Sequence, residues 1–421
     1  MRLFTCLLSD AGIAPSLWPL VHRVAQILLR RVHSTEENLE LQGISRVAEV
    51  PMYLLVSFNV ILDLLMGCTS GAARTIETGQ PPSQSKMLHF RTLDWDMDPL
   101  REVVVQLEFV KSAASTPDKV LATSLTYVGF VGVLTGVRRG LSMSFNSRPQ
   151  HNLNRSWDNV RFHAHNLLVL LGRRRSISSL LRHCLFSDDQ NNPGRAVRLD
   201  HLAETIPSEA STAAYLIFSD GQSAMTVEKD RFSGKVTRSR SFSVTTNHDL
   251  VSTTGTGHAK SFSSQTLLKT IIAESVDRRA CMLEKWTNKV RKEQAQGCET
   301  TEESSATSAF NAAARPGPMT RSRLAASNAR SEISPKDPTK LVDIPTDEKD
   351  PEEIVSLTKS ELQKWLTQWP TTNECTHFSA ILDPTEGRVV WAQRYSEPLE
   401  PPSGGQARAD FVAAINDDLR N

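Results

Sequence analysis

The chain has 421 residues, enough for one large domain or two medium ones. Its 48 lysines and arginines stand against 47 aspartates and glutamates, so the formal charge is +1. This balance lacks the basic excess with which a nucleic-acid binder contacts phosphates, and we expect no nucleic-acid partner. The 6 cysteines are too few for a disulfide scaffold and form no cluster at zinc spacing, so no metal site is expected.

The N-terminal region gives no clear signal peptide, because Asp10 and Pro15 interrupt its brief apolar stretch. The longest apolar segment, 50–68, is too short and too polar for a bilayer span of about 20 residues. It contains three polar side chains: Ser57, Asn59 and Asp63. No transmembrane helix is therefore predicted.

Residues 38–66 are predicted to be helical, because apolar side chains recur there with a 3.6-residue period. These side chains are Leu54, Leu55, Phe58, Ile61, Leu62 and Leu65. We expect this helix to pack against the core.

After Cys68, short runs rich in β-branched and aromatic residues predict a mainly antiparallel sheet. The runs are 87–95, 102–110, 124–137 and 140–148. A hairpin is predicted around Asp220-Gly221, a strand at 241–250, and a second hairpin at 377–395 with its turn at 384–387. Residues 71–87 are expected to form a long loop.

Helical patterns cover 157–185, 265–294 and 352–369. Strands followed by helices and further strands are typical of an α+β or layered domain. Three consecutive arginines, Arg173–Arg175, lie at a predicted helix break. They are typical of a solvated face, and contact with anionic lipid headgroups is the alternative.

Two segments have too few apolar side chains to offset the entropy of ordering. Residues 296–352 are rich in Ser, Thr, Ala, Pro and charges, with Phe310 as their single aromatic residue, and are predicted to be a disordered insertion. The tail 398–421 is similar and is predicted to be flexible.

Cys68 is the most informative candidate for chemistry. A lone cysteine is usually a small buried hydrophobe, but chemistry-bearing residues recur in later motifs of this chain. They are Arg91 and Asp94 in FRTLDWDMD, Asn146 in GLSMSFNSR, Asn247 in TTNHD and Arg278 in SVDRRA.

These motifs resemble, in order, those of the N-terminal-nucleophile amide hydrolases of the choloylglycine hydrolase superfamily. Acid ceramidases and N-acylethanolamine acid amidases are the most similar members. The segment SFNVILDLLMGCTS resembles their nucleophile segment, and YVGFVGVLTGVRRGLSMSFNSR resembles their later hairpin. The resemblance covers 38–295 and resumes at 352–397. Thr92 stands where the family commonly has Asn.

The resemblance implies a four-layer αββα sandwich and a chain that cuts itself between Gly67 and Cys68. Residues 1–67 would form an α-fragment and 68–421 a β-fragment, and the two would remain associated. Cys68 would then supply both a thiol nucleophile and an α-amino base, whose ordinary pKa values are about 8.5 and 7.7–8.0. No catalytic histidine and no cofactor would be needed, and His248 is interpreted as structural.

The same resemblance implies the other roles. Arg91 would lower the pKa of the Cys68 thiol. Asp94 would accept from the α-amino group, although its three-residue spacing from Arg91 places it on the opposite face of a regular strand. Asn146 and Asn247 would donate to the oxyanion. Arg278 would orient Asp94 or Asn247.

The implied reaction is hydrolysis of a lipid amide: ceramide, giving sphingosine and a fatty acid. The alternatives are an N-acylethanolamine, or a non-catalytic lipid-binding relative with the same fold. A third is an acyltransferase or a bile-salt or penicillin amidase. The family implies a lysosomal, vacuolar or secreted location, with contact to a lipid surface. The sequon at Asn154 would be glycosylated only on the secretory route.

Overall fold

The computed structural model describes residues 14–61, 67–95, 97–110, 119–149, 151, 157–249, 264–309 and 355–399. The chain divides into two units, one formed by 1–286 with 356–421 and the other by 287–355. The candidate site residues all belong to the first unit.

The α-helices of the described residues are α1 (Trp18–Leu28), α2 (Thr35–Ala48), α3 (Met52–Ile61), α4 (Asp158–Leu170), α5 (Ile177–Phe186), α6 (Leu199–Thr205), α7 (Ser264–Ala309) and α8 (Lys359–Leu366). Short 3-10 helices lie at Pro15–Leu17, Pro82–Gln84, Asp98–Val103 and Ile206–Ser208. Among the described helices, none combines the length and the apolar character needed to cross a bilayer.

The described strands are β1 (Gly67–Thr75), β2 (Lys86–Asp94), β3 (Val104–Val110), β4 (Val120–Tyr127), β5 (Thr135–Arg138), β6 (Leu141–Ser147), β7 (Asp188–Asp189), β8 (Asn192–Ala196), β9 (Ala214–Ser219), β10 (Ala224–Lys229), β11 (Gly234–Ser239), β12 (Phe242–Thr245), β13 (Thr376–Asp383) and β14 (Arg388–Arg394). In the described chain they form a five-stranded sheet in the order β12-β1-β2-β13-β14 and a seven-stranded sheet in the order β11-β10-β9-β6-β5-β4-β3. β7 and β8 form a separate pair.

The two large sheets pack face to face, and hydrogen bonds join them inside the sandwich. His89 of β2 contacts the hydroxyls of Ser142 and Ser144 of β6 at 3.1 and 2.8 Å. Ser70 of β1 donates to the side-chain oxygen of Asn146 at 2.7 Å. Burial lowers the pKa of His89 to about 3, with Arg91 adding to the effect, so this histidine is neutral at neutral pH.

Helices cover the outer faces of both sheets. α5 packs on β5 and β6 of the seven-stranded sheet. On the five-stranded sheet, Phe242 of β12 stacks on Trp286 of α7 with ring centroids 4.9 Å apart, and Trp365 of α8 meets the same ring edge-on at 6.3 Å. The chain is therefore an α+β protein with two central sheets between helical layers, which is the predicted four-layer αββα sandwich.

Helices α1–α3 build a second apolar cluster together with two residues from elsewhere in the chain, Val131 and Val169. The prediction of one helix over 38–66 is wrong. The helix ends at Ala48, Glu49 has the left-handed backbone (φ 53°), and Pro51 precedes the start of α3. Residues 62–66 lie outside the described residues.

The loop expected at 71–87 is also only partly correct, since β1 extends to Thr75 and β2 begins at Lys86. Strand β1, GCTSGAART, is small and polar, so it lacks the alternation by which sequence reveals a strand. It is nevertheless buried almost throughout. Both its edges are paired, with β12 and β2.

The predicted hairpins are present as β9–β10, with Gly221 at positive φ, and as β13–β14. The pattern over 157–185 is two helices separated at Gly172 (φ 62°), next to the predicted break at Arg173–Arg175. Helix α8 is shorter than the predicted 352–369. It begins at a capping box formed by Thr358 and Glu361.

In the second unit, α7 continues to Ala309, so the first residues of the 296–352 segment are helical. Lys289 and Glu293 form an ion pair along it at 3.1 Å. Residues 310–354, and residues 400–421 of the predicted flexible tail, lie outside the described residues.

Candidate active site around Cys68

Strands β1 and β2 place the candidate residues on two opposite faces. In their antiparallel register Gly67 lies opposite Asp94 and Cys68 opposite Leu93. Because successive side chains of a strand alternate between faces, Cys68 points between the sheets with Arg91. Gly67 and Asp94 face the helical layer instead.

The Cys68 thiol is completely buried and is held by one guanidinium. Nη2 of Arg91 donates to Sγ of Cys68 at 3.1 Å. Nη1 of Arg91 donates to the backbone oxygens of Leu134 and Phe145 at 2.9 and 2.7 Å, which fixes its orientation. Arg91 is itself fully buried.

Burial dominates the acidity of the thiol. It raises the pKa of Cys68 above the ordinary value, while Arg91 and Arg278 act against it and Asp94 reinforces it. Sequence reasoning expected a lowered pKa from Arg91. The direction of the arginine's effect agrees, but desolvation of the thiol is the larger effect.

The backbone nitrogen of Cys68 is held separately from the thiol. Its N–H donates to Oδ1 of Asn247 at 2.8 Å, and Nη2 of Arg278 donates to the same oxygen at 2.9 Å. Nδ2 of Asn247 donates to the backbone oxygen of Ser147 at 2.8 Å. Because a backbone N–H and a guanidinium can only donate, these partners fix which end of the amide faces Cys68.

Asp94 lies on the helical side of the same peptide. Its Oδ1 accepts from the Thr376 hydroxyl at 2.7 Å, and its Oδ2 lies 3.7 Å from Nε of Arg278. Oδ2 accepts no hydrogen bond from the described residues. Burial raises the pKa of the Asp94 carboxyl, opposed by Arg278 and by the Thr376 hydrogen bond.

Gly67 sits directly against this pair. A Cβ placed on Gly67 would lie 3.4 Å from Cβ of Asp94 and 3.8 Å from Nη2 of Arg278. Arg278 thus lies next to both residues, Asp94 and Asn247, that the sequence paired with it. The bond before Cys68 has its carbonyl residue beside Asp94 and its nitrogen beside Asn247.

Asn146 is brought close to this centre but is engaged in tying strands together. Its Oδ1 accepts from Ser70, and its Nδ2 donates to the backbone oxygens of Thr245 and Thr246 at 2.8 and 3.2 Å. The oxyanion roles of Asn146 and Asn247 stay predictions. The amide nitrogens of both residues donate to backbone carbonyls in this structure.

His248 is the histidine nearest to a matched motif, and its surroundings are structural. Its Nδ1 contacts the hydroxyl of Ser275 at 2.8 Å and that of Thr246 at 3.2 Å. Burial lowers the pKa of His248 to about 4, with Arg279 and Arg278 adding to the effect. Among the described residues, no group of His, Cys, Asp or Glu is arranged to hold a metal ion.

Comparisons with known proteins give relatives that match part of the chain. None of the known protein-family profiles matches it. A segment of 129 residues, 28% of this chain, is 30% identical to the N-acylethanolamine-hydrolyzing acid amidase of Caenorhabditis elegans and spans 33% of that protein. A segment of 124 residues, 26% of this chain, is 27% identical to the acid ceramidase of Homo sapiens and spans 28% of it. The bovine acid ceramidase is 29% identical over the same length and share of this chain.

Part of the chain is similar to acid ceramidases and N-acylethanolamine acid amidases. The similarity spans a third or less of the length of these relatives. Among solved structures, the Caenorhabditis elegans N-acylethanolamine-hydrolyzing acid amidase ortholog aligns with a TM-score of 0.44 at 17% identity, over 78% of this chain and 100% of that one.

Three residues at the centre of the candidate site were not found from sequence. Thr376 holds Asp94, Ser70 holds Asn146, and Ser275 holds Asn247 by accepting its backbone N–H at 2.6 Å. Ser275 had a local signal, because it lies three residues before Arg278 and so on the same face of α7. Thr376 had no local signal, because it lies 282 positions from Asp94 in the chain.

Proposed function

We propose that this chain is a cysteine amidohydrolase that cuts its own Gly67–Cys68 bond and then hydrolyses lipid amides. The observation that carries the proposal is the double restraint of Cys68. Its thiol accepts from Arg91 and its nitrogen donates to Asn247. One residue therefore has both a nucleophile and a future amino group held in place, as an N-terminal nucleophile requires.

The self-cleavage step uses the uncut peptide. Sγ of Cys68 bonds to the carbonyl carbon of Gly67, the C–N bond breaks, and the departing nitrogen takes up a proton. Water then hydrolyses the resulting thioester, which leaves a Gly67 carboxylate and restores the Cys68 thiol. Arg91 stabilises the thiolate form of the attacking sulfur, against the desolvation that burial imposes.

The mature enzyme repeats this chemistry on a substrate amide. The freed α-amino group of Cys68 accepts the thiol proton, the thiolate attacks the amide carbonyl, and the same nitrogen returns a proton to the leaving amine. Asn247 accepts from this amino group through Oδ1. Oδ2 of Asp94 is ion-paired with Arg278 but accepts no hydrogen bond from the described residues, so it would accept a further N–H.

The proposed substrate is ceramide, with N-acylethanolamines as the alternative. Both follow the names of the relatives, acid ceramidase and N-acylethanolamine-hydrolyzing acid amidase. An apolar cluster that includes Cys68 favours a substrate with a long acyl chain. Its members on the surrounding strands and loops include Leu93, Trp95, Met97, Tyr127 and Phe130.

The α- and β-fragments are proposed to remain associated after the cut. Phe58 of α3 packs edge-on against Phe130 and Tyr127 of the β-fragment, with ring centroids 5.9 and 6.4 Å apart. Separating the fragments would expose these rings to water at a cost of about 25 cal/mol per Å². A lysosomal, vacuolar or secreted location and contact with a lipid surface are part of the same proposal, and rest on the family alone.

The test begins with mass spectrometry of the full chain. The wild type should yield a fragment beginning at Cys68, whereas Cys68→Ala should stay intact. The cut protein should release fatty acid from a fluorescent ceramide or an N-acylethanolamine, and Cys68→Ala should not. A wild-type chain that is active while uncut would contradict the mechanism. A cut chain that binds but hydrolyses neither amide would favour a non-catalytic relative.

A further inference from the structure

Residues 129–134, here called the docking loop, belong to the connection between β4 and β5 and lie between the predicted α-fragment and the nucleophile. Helix α3 contacts the start of this loop. A Cβ placed on Gly129, at φ 87°, would lie 3.6 Å from Cδ2 of Leu55. Phe58 packs on Phe130 in the same loop.

Asn59 of α3 makes a two-sided bond with the docking loop. Its Nδ2 donates to the backbone oxygen of Gly129 at 2.9 Å, and its Oδ1 accepts from the backbone N–H of Val131 at 2.8 Å. These partners fix the orientation of the amide, because Gly129 O can only accept and Val131 N–H can only donate. Asn59 is only 3% exposed, so both bonds are shielded from water.

A second anchor holds the same loop from the other side. Nη1 of Arg182 donates to the backbone oxygen of Val131 at 2.6 Å. The same guanidinium binds both carboxylate oxygens of Glu40 in α2, each at 2.6 Å. The peptide groups around Val131 are thus bound by α3 directly and by α2 through Arg182.

The far end of the docking loop reaches the nucleophile. The backbone oxygen of Leu134 accepts from Nη1 of Arg91, and Nη2 of the same guanidinium donates to Sγ of Cys68. Between the two ends, the backbone N–H of Val133 is tied to Ser178 at 3.0 Å. Hydrogen bonds and the four backbone residues 131–134 therefore connect Asn59 to the thiol without a gap.

We propose that Asn59 is a positioning residue: by seating α3 on the docking loop, it sets the place of the Leu134 carbonyl and, with it, the place of Arg91 against Cys68. The inference rests on the proposed function only where it concerns the self-cleavage rate. Its effect on the thiol itself holds whether or not the chain cuts itself.

The test compares full-length wild type, Asn59→Ala and Ser57→Ala. Ser57 is the matched control because it lies in α3 with the same 3% exposure, and its hydroxyl donates within the helix to Leu54 at 2.7 Å. Each protein is treated with iodoacetamide from pH 6 to 10. The peptide spanning Gly67–Cys68 reports alkylation of the uncut chain, and the peptide beginning at Cys68 reports the cut.

We expect Asn59→Ala to move the pH midpoint of Cys68 alkylation upward and to slow the cut by about tenfold or more, since two buried bonds are lost. Ser57→Ala should match the wild type in both respects. Equal effects in the two variants, or an unchanged alkylation midpoint in Asn59→Ala, would overturn the proposal. A wild type that never cuts would defeat the proposed function, and the alkylation comparison would still decide this inference.

Should Asn59→Ala fail to melt cooperatively, Arg182→Met provides the second variant. It keeps the apolar stem of the side chain but removes the bonds to Val131 and Glu40. We expect the same two shifts, smaller in size, because the direct contact of Asn59 remains. An Arg182→Met chain with wild-type alkylation and cutting would show that the docking loop does not couple the two sites.

Discussion

The side-chain oxygen of Asn247 accepts the backbone N–H of Cys68 at 2.8 Å, although the two residues are 179 positions apart. Arg278 donates to the same oxygen. This oxygen therefore already occupies the place where the proposed cut would require an acceptor for the α-amino group. Little rearrangement at Asn247 would be required on maturation.

Replacing Asn247 separates its acceptor role from its donor role. Asn247→Asp keeps an oxygen for Cys68 and Arg278 but loses the donor to Ser147, whereas Asn247→Leu loses both. We expect Asn247→Leu to lose about 1–3 kcal/mol of stability and nearly all self-cleavage, because a buried N–H and a guanidinium lose their acceptor. Asn247→Asp should retain measurable cleavage, followed by gel electrophoresis over time. Equal cleavage in the two variants would contradict the acceptor role.

Arg91 is predicted to control the reactivity of the thiol. Because burial raises the pKa of Cys68 while Arg91 opposes it, Arg91→Gln should raise that pKa further. The fraction of Cys68 present as thiolate at pH 7.5 should fall roughly tenfold for each whole number by which its pKa rises. Arg91→Lys, which keeps the charge but not the two-pronged geometry, should lie between the wild type and Arg91→Gln. The alkylation rate of Cys68, measured by peptide mapping, gives the order of the three proteins. A slower rate in Arg91→Lys than in Arg91→Gln would refute the prediction.

Thr376 is predicted to hold the Asp94 carboxylate. Thr376→Val removes the hydroxyl that donates to Oδ1 and leaves that buried oxygen without this donor. The amide-hydrolysis rate of the mature protein should fall about tenfold, and its pH profile should move because the hydrogen bond opposes the raised pKa of Asp94. Thr376→Ser should restore both. A lower hydrolysis rate in Thr376→Val with an unchanged pH profile would contradict this role and indicate a packing defect alone.

Two glycines of β1 are predicted to respond differently to alanine. At Gly71 the new Cβ would lie 2.0 Å from the backbone oxygen of Ser243 and 2.6 Å from the ring of Phe90, so β12 would have to move. At Gly67 its nearest neighbour would be Cβ of Asp94 at 3.4 Å, an ordinary contact. Gly71→Ala should therefore lose about 3 kcal/mol or more, while Gly67→Ala should melt like the wild type. Thermal denaturation of the two proteins makes the comparison.

His89 is predicted to make stability depend on pH. Its pKa is lowered to about 3 in the folded chain, against about 6.5 when unfolded. The unfolded state thus binds the extra proton between these values, and this contribution to stability is complete above pH 6.5 and declines by about 1.4 kcal/mol per pH unit below it. His89→Gln should flatten that decline. Thermal melting of both proteins between pH 7.5 and 4.5 measures this decline. If stability falls equally with pH in wild type and His89→Gln, His89 is not its source.

The sequence was sufficient for the elements with strong local signals. The hairpin at Asp220-Gly221 was predictable because a glycine at positive φ sits between two alternating strands. The break between α2 and α3 was missed because the apolar periodicity of 54–65 was extended back to residue 38, although Pro51 disfavours a helix through the residue before it. Strand β1 was missed because both its faces are covered, so burial leaves no polar and apolar alternation to detect.

By itself, the sequence determined which residue types are present around Cys68 and that Arg91 and Asp94 lie on opposite faces of one strand, since side chains alternate along a strand. It did not determine what each face meets. Only the pairing of β1 with β2 placed Arg91 against the thiol, with the facing sheet orienting its guanidinium through the Phe145 carbonyl. Only the helical layer placed Arg278 beside Asp94. Such contacts join positions far apart in the chain, so their geometry depends on how whole layers pack rather than on any local pattern.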